Sequence, residues 1–375
     1  MKKEKMKNIS FYDDIQINDD INFISVVCTP WQIQGTLTNI NYLQNKGIEI
    51  NGLLIVIEHG ITGRCLNEKD FLPFELYNIE IYYSKGLSYK NNQNRIACIF
   101  ERFFSVFLNN PNDRPVYILN FGFFNSGWSR FIKIKNKRNY IYILGDDGTG
   151  GYNGYKGLKN NSPLKKLLGS VYLKILKNKL IRNNAFIDNR ILSFKNDKLV
   201  CRRDIAKLYV DSFKNQKLEK NVLEAFNGKI IINSQCLYDN HEIFGNQDID
   251  TYRILYDALG DKNQEVLLKP HPRELSLNRY DEFKWKIWNY PSITQEEIIS
   301  NLEISPRAVI GITSSTLINL NALFGIKTIS LAKIFSKFSL PEGMRKDVED
   351  FIILNEDFVL MPSNSDELVR MLDNI

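Results

Sequence analysis

Three short segments of the chain hold side chains that could move a proton or grip an anion. In LGDDGTGGYNGYKGLK, residues 144–159, two adjacent carboxylates, Asp146 and Asp147, follow the apolar run YIYIL. Carboxylates this close do not ionise independently, and one of them titrates late. Such a group can accept the proton of a hydroxyl as its oxygen attacks. Gly148, with Gly150 and Gly151 after it, lets the backbone come close to a bulky acceptor. The same Asp-Gly pair is also an ordinary turn with solvated acids.

The second segment is Lys269-Pro270-His271-Pro272, which follows the apolar run EVLL. Two prolines with φ near about −65° stiffen the loop around His271. An imidazole titrates near neutrality and can donate a proton to a leaving group. The other two histidines, His59 and His241, read as loop residues without a role. The third segment, Ser314-Ser315-Thr316, follows AVIGIT and opens a helical pattern. A helix start offers backbone N–H groups and a favourable dipole to phosphate, although Ser and Thr are also routine N-caps. A base, an acid and a phosphate cradle are the parts of an inverting group transfer. One phosphate between sugar and nucleoside needs little charge neutralisation, and a CMP-linked sugar fits that short set.

The elements that must position these residues alternate along the chain. FISVVC (23–28), GLLIVIE (52–58), IEIYYS (79–84), VYILNFG (116–122) and YIYILG (140–145) read as strands, with helical stretches to Leu43 and over 94–110. A basic helical stretch covers roughly 163–182, and a second helical pattern lies near 203–226. A new alternation follows: KIIINS (229–234), a helix near 249–260, EVLLKP (265–270), helices near 280–303, AVIGIT (308–313), a helix near 315–324, TISLA (328–332) and FVLMP (358–362). The terminal SDELVRMLDNI is helical, with Ser365 or Asp366 as its cap. Two such halves predict an α/β protein with two Rossmann-like domains whose parallel sheets face one another across a cleft. The expected limits are a flexible 1–20, a first, acceptor-side domain over 21–200 and a second, nucleotide-sugar domain over 201–375. The last helix is a candidate to pack back on the first domain.

Composition is that of a globular protein: 375 residues, 43% hydrophobic, 25% charged, net charge +6. The excess of base is too mild for a nucleic-acid binder. Five scattered cysteines form no CxxC, there is no H-x-x-H, and the D-x-D at Asp248-Ile249-Asp250 does not directly follow a strand, so no metal site is expected. No signal peptide follows the basic start, and no apolar run approaches the roughly 18 residues that span a bilayer. A cytoplasmic protein is expected, with peripheral contact at the inner face of the membrane as an option.

The ordered set of motifs, acidic-acidic-Gly, then His-Pro, then Ser-Ser/Thr, resembles the bacterial sialyltransferases and polysialyltransferases of the GT-B fold. DDGTGGY (146–152) is similar to that group's acidic-acidic-Gly-x-Gly-x-Tyr segment, CTPWQ (28–32) to its opening strand and loop, and Ser234-Gln235 to the Thr-Gln that relatives often carry. The resemblance implies a metal-independent, inverting enzyme without a cofactor, whose donor is CMP-sialic acid and whose acceptor is a lipooligosaccharide or capsular glycan. It implies Asp146 as general base supported by Asp147, and His271 as general acid or phosphate partner. Ser314, Ser315 and Thr316 would hold the donor phosphate, with Lys269, Pro272 and Gln235 beside them. Gly148, Tyr152, Thr29 and Asn120 would lie on the acceptor side. Asn120 opens the ring-rich NFGFFNSGW (120–128), which is equally placed to be core. Asp at position 146, where polysialyltransferases often carry Glu, fits other groups as well.

From Lys156 to Arg182 the chain is basic with no acid. PLKKLLGSVYLKILKNKLIR can lie on an anionic membrane or guide an anionic acceptor, and can equally be a packed helix with a solvated basic face. Two alternatives stay open: a transferase of the same fold using CMP-Kdo or a UDP-hexose, and a non-catalytic glycan- or nucleic-acid-binding protein. The oligomeric state is not legible.

Overall fold

The computed structural model describes residues 6–9, 20–27, 29–57, 68–84, 114–121, 139–145, 180–182, 186–188, 199–214, 218–288 and 293–375. The chain divides into two compact units, Met1–Ser212 and Phe213–Ile375. From the sequence the junction is expected in the mixed, polar stretch 183–228, with the domain limit at 200/201, and the division falls in that stretch, inside helix α2 (Arg203–Lys214).

In the first unit, seven strands form a sheet in the order β1-β4-β3-β2-β5-β6-β7. They are β1 (Met6–Ile9), β2 (Phe23–Val27), β3 (Asn51–Ile57), β4 (Asn78–Ser84), β5 (Pro115–Phe121), β6 (Asn139–Gly145) and β7 (Leu180–Arg182). Every pairing is parallel. Strands such as FISVV are buried along their length, which is why they read as continuous apolar runs rather than alternating ones. Two elements differ from the sequence expectation. Residues 6–9, expected within a loose N-terminus, form the edge strand β1, whose four residues MKNI are too polar to signal it. Residues 180–182, expected as the end of a basic helix, form β7 beside β6. A short antiparallel pair, β8 (Phe186–Asp188) and β9 (Leu199–Cys201), stands apart. The helix expected over 94–110 lies outside the described residues.

Helix α1 (Pro30–Gln44) leaves β2 through Thr29, whose side chain accepts from the Gln32 N–H at 3.2 Å, with Pro30 in the first turn where its missing donor costs nothing. Several of the polar side chains that the helix buries bond to one another or to the backbone. Ser25 and Thr36 share a hydrogen bond of 2.8 Å, and Asn39 donates to the Gly35 carbonyl at 2.7 Å. Against α2, Trp31 stacks on Tyr209 with centroids 5.4 Å apart, and Thr38 meets Ser212 at 3.2 Å.

In the second unit, five parallel strands run in the order β12-β11-β10-β13-β14. They are β10 (Ile230–Asn233), β11 (Val266–Lys269), β12 (Lys286–Ile287), β13 (Ala308–Gly311) and β14 (Thr328–Ser330). Helix α3 (Lys220–Phe226) precedes them, α4 (Gln247–Leu259), α5 (Gln295–Ser300) and α6 (Ser315–Phe324) lie between them, and α7 (Ala332–Phe335) follows. The chain ends with α8 (Glu342–Asn355) and α9 (Ser365–Asp373). The order switches between β10 and β13, the place where open α/β sheets take ligands. The helical pattern near 203–226 is two helices, α2 and α3. The helices expected near 280–303 are a 3-10 turn over Leu277–Phe283, the short β12 and α5. The FVLMP run makes only a bridge from Leu360 to Ile329. The cap of α9 is Asn364, which accepts from the Glu367 N–H at 2.9 Å, in place of Ser365 or Asp366. This last helix packs on α4, within its own unit.

Gly35 of α1 makes a testable claim about the first core. A Cβ there would stand 2.5 Å from the Phe121 ring and 3.2 Å from the Tyr209 hydroxyl. The same ring is hemmed in from β6, where a Cβ on Gly145 would stand 2.8 Å from it. Gly35→Ala is expected to destabilise by about 1–3 kcal/mol through overpacking, read as a lower urea midpoint. An unchanged midpoint would mean that the ring has room.

Candidate functional site

The described part of the site is built on the strand ends of the second unit. Ser234, Gln235 and Cys236 leave β10 in succession and reach two neighbours. The Ser234 hydroxyl donates to the Glu274 carboxylate and accepts from the His271 N–H at 3.2 Å. The Cys236 thiol donates to the Arg273 carbonyl at 3.1 Å. Gln235 turns the other way. Its Oε1 accepts from the Thr313 N–H at 2.8 Å and from the Thr313 hydroxyl at 3.0 Å. Gln235 therefore bridges the loops after β10 and β13, across the switch in strand order.

His271 sits in a closed turn. The Glu274 N–H donates to the His271 carbonyl at 2.9 Å, and Pro272 takes the second position, where a fixed φ favours the turn. The Arg273 N–H donates to His271 Nδ1 at 3.2 Å. A nitrogen that accepts carries no proton, so the neutral ring holds its proton on Nε2 and offers it as a donor. The carboxylate of Glu274 returns to the His271 N–H at 3.3 Å and also receives the Tyr280 hydroxyl at 2.6 Å. Burial pushes the Glu274 carboxyl upward, against the hydrogen bonds from Ser234, Tyr280 and the His271 backbone, which favour its ionised form. Tyr280 in turn packs edge-on to Tyr252 of α4, whose hydroxyl donates to the Asn233 carbonyl at 3.1 Å.

Asp239 closes the far end of the same segment. It accepts from the Leu275 N–H at 2.6 Å, the Ser276 N–H at 3.1 Å and the Ser276 hydroxyl at 2.5 Å. Burial alone would raise its carboxyl. The Ser276 hydroxyl and the two backbone donors outweigh that and hold it below the usual carboxylate range.

Ser314 caps α6, accepting from the Thr316 N–H at 3.3 Å, and Ser314, Ser315 and Thr316 are all partly exposed. Lys269 and Asn233 are paired across β11 and β10, and both are buried. The Asn233 Oδ1 has no hydrogen-bond partner among the described residues. A buried acceptor in that condition marks a place where a ligand or water donor fits. The D-x-D carboxylates are engaged elsewhere. Asp248 forms a forked pair with Arg279 at 2.8 and 3.1 Å, and Asp250 pairs with Arg253. Among the described residues no cluster of His, Cys, Asp or Glu could hold a metal ion.

Of the expected site residues, His271, Pro272, Lys269, Gln235, Ser314, Ser315 and Thr316 thus gather at the carboxyl ends of β10, β11 and β13. Asp146, Asp147, Gly148 and Tyr152 lie outside the described residues, directly after β6. Asn120 lies on β5, its backbone paired with Leu144, and Thr29 is the cap of α1. The basic segment 156–182 lies outside apart from β7. Among the described residues no helix is long and apolar enough to cross a membrane. Glu274, Tyr280 and Thr313 are not singled out by the sequence. An acid three residues after His271, at the close of a proline turn, is the one mark of Glu274 in the sequence.

Two parallel α/β units of this kind define a GT-B-like α/β protein. The structure is similar to a UDP-N-acetylglucosamine 2-epimerase, with a TM-score of 0.50 and 11% identity over 94% of this chain and 86% of that one. A putative UDP-N-acetylglucosamine 2-epimerase from Listeria monocytogenes gives 0.49 and 9% over 93% and 91%. At such identities the likeness speaks for the fold alone. No curated protein matches the sequence significantly. The profile of the alpha-2,8-polysialyltransferase (POLYST) family matches residues 82–333, and the chain belongs to that family. It is a glycosyltransferase.

Cys236 checks the geometry of the β10 loop. Burial, with Asp239 and Glu274 adding to it, pushes its thiol up to about 11. The raised value keeps the group protonated as pH rises, leaving a thiolate fraction on the order of one in a thousand at pH 8. Native protein at pH 8 is expected to leave the Cys236 peptide unalkylated by iodoacetamide, and urea-unfolded protein to label it, as read by mass spectrometry. Rapid native labelling would contradict the buried S–H···O contact.

Proposed function

We propose that the protein is an inverting, metal-independent sialyltransferase that moves sialic acid from CMP-sialic acid to a hydroxyl of a bacterial surface glycan, lipooligosaccharide or capsular polysaccharide. The observation that carries this reading is the cluster at the carboxyl ends of β10, β11 and β13, in a chain of the polysialyltransferase family.

The donor phosphate rests on the Ser314-Ser315-Thr316 helix start, where first-turn N–H groups and the helix dipole favour an anion. Gln235, Lys269 and Pro272 border it. His271, neutral with its proton on Nε2, donates a hydrogen bond to the departing phosphate and offsets its growing charge. Asp146, supported by Asp147, takes the proton of the acceptor hydroxyl. The acceptor oxygen forms its bond to the anomeric carbon, the bond from that carbon to the phosphate oxygen breaks, and CMP leaves with the electron pair. Attack opposite to departure inverts the centre. Gly148, Tyr152, Thr29 and Asn120 flank the acceptor, and no cofactor takes part. The basic segment 156–182 guides the anionic acceptor at the inner face of the membrane.

The test is incubation with CMP-Neu5Ac and a panel of glycan acceptors, with the anomer and linkage of the product read by NMR. Asp146→Asn and His271→Ala are expected to lower turnover by roughly 10²–10⁴ while circular dichroism stays that of the wild type. EDTA is expected to leave the rate unchanged. Turnover only with CMP-Kdo or a UDP-hexose, or an Asp146→Asn variant as fast as the wild type, would sink the reading.

A further inference from the structure

Beyond the residues that border the substrates, we infer that Glu274 is a positioning residue that holds His271 as a proton-on-Nε2 imidazole, through its grip on both ends of the His271–Glu274 turn. The inference rests on the proposed function in that His271 acts through Nε2.

The geometry is reciprocal. The backbone N–H of Glu274 donates to the His271 carbonyl at 2.9 Å, and the Glu274 carboxylate accepts from the His271 N–H at 3.3 Å. The turn is thus tied at the same residue by main chain and side chain. With both ends held and Pro272 fixing φ at its second position, the Arg273 N–H is aimed back at the imidazole and meets Nδ1 at 3.2 Å. That bond selects the tautomer. A loosened turn would let the Arg273 N–H swing off Nδ1, and the ring would then sample both tautomers and further rotamers.

Glu274 is itself fixed. The residue is 8% exposed, and its carboxylate receives the hydroxyls of Ser234 and Tyr280. Tyr280 is held edge-on to Tyr252 with centroids 5.9 Å apart. All three partners of the carboxylate are donors, and an acceptor-only group is the side chain that satisfies all of them. A glutamine can stand in. Its amide oxygen would face Ser234 and the His271 N–H, and its amide nitrogen would face the Tyr280 oxygen, whose hydrogen is free to rotate. A methionine of similar length takes this acceptor from the Ser234 and Tyr280 hydroxyls and leaves the His271 N–H with the Ser234 oxygen alone.

The experiment joins kinetics to ¹⁵N NMR of histidine-labelled protein, with His271 assigned by its absence in His271→Asn. In the wild type at neutral pH, Nε2 is expected to carry the proton and Nδ1 to be bare, with the His271 amide protected from exchange. Glu274→Met is expected to lower kcat by about 30-fold, leave the donor KM within about threefold, and average the two ring nitrogens towards equal shifts; misplacement of a reacting group commonly costs this much. Glu274→Gln is expected to recover kcat to within about threefold of the wild type and to restore the wild-type nitrogen pattern. A Glu274→Met protein with wild-type kcat and an unchanged tautomer overturns the inference. If that variant does not fold, the wild-type spectra decide: a proton on Nδ1, or a freely exchanging His271 amide, overturns it equally. If no sugar donor is turned over, the NMR arm still stands, so failure of the proposed reaction is told apart from failure of the positioning role.

Discussion

As the chain leaves β10, its side chains go on alternating for three residues, and each meets a different strand-end loop. Ser234 and Cys236 reach the turn after β11; Gln235 reaches Thr313 after β13. This three-residue clamp is what the described site depends on. A parallel sheet positions its strands but leaves the loops at their carboxyl ends without hydrogen-bond partners from the ladder, and such loops are mobile by default. Here each loop borrows partners from its neighbour. The cost of breaking one contact is the loss of a bond together with a buried donor or acceptor left bare, on the order of 1–3 kcal/mol. The clamp therefore joins the strand-end loops into one unit before any ligand arrives.

Two carboxylates hold the β11 loop, and their surroundings push them in opposite directions. Glu274 is buried deeply enough that desolvation dominates and raises it, despite three donors. Asp239 meets two backbone N–H groups and a hydroxyl where burial is slighter, and they lower it. Asp239 thus stays ionised over a wide range and anchors Leu275 and Ser276. Glu274, raised as it is, sits behind His271 and accepts from the Ser234 and Tyr280 hydroxyls and the His271 N–H.

The sequence made the parallel strands legible because they are buried on both faces. KIIINS, EVLLKP and AVIGIT read as unbroken apolar runs, and each ends where the polar residues of the site begin. It also placed His271, Gln235 and Ser314 at strand ends, since a strand's end is marked by Pro, Ser or Gln after a β-branched run. It did not show Glu274, Tyr280 or Thr313. A buried acid looks in sequence like any solvated one, and its partners Ser234 and Tyr280 lie 40 and 6 residues away. The edge strands β1 and β7 were missed for a related reason. MKNI and LIR are short, and their pairing with β4 and β6 comes from the sheet rather than from their own apolar pattern. Of the helices expected near 280–303, α5 is present over Gln295–Ser300, whereas the earlier part differs although Tyr280, Phe283 and Trp285 stand at near-helical spacing. Those rings instead pack on α4 around a 3-10 turn, with Phe283 and Trp285 stacked at 4.4 Å.

Fold by itself leaves the reaction open, since a similar arrangement of strands serves a UDP-N-acetylglucosamine 2-epimerase. The choice lies in the residues at the strand ends. The family match runs from within β4 to within α7, so it takes in the Asp146 segment and all three loops of the clamp. Helices α8 and α9 fall outside it, and their contacts explain them as scaffold: the chain between them adds Leu360 to the edge of β14, and α9 covers α4. Thr29 falls outside it as well. Its hydrogen bond to the Gln32 N–H is a helix cap worth about 1 kcal/mol, which ties the loop after β2 to the start of α1. Among the described residues at these strand ends, the fold alone does not explain a helix start of three hydroxyls or a buried amide oxygen at Asn233 without a partner there, and a ligand that brings both an anion and a hydrogen-bond donor to the ends of β10 and β13 would meet both.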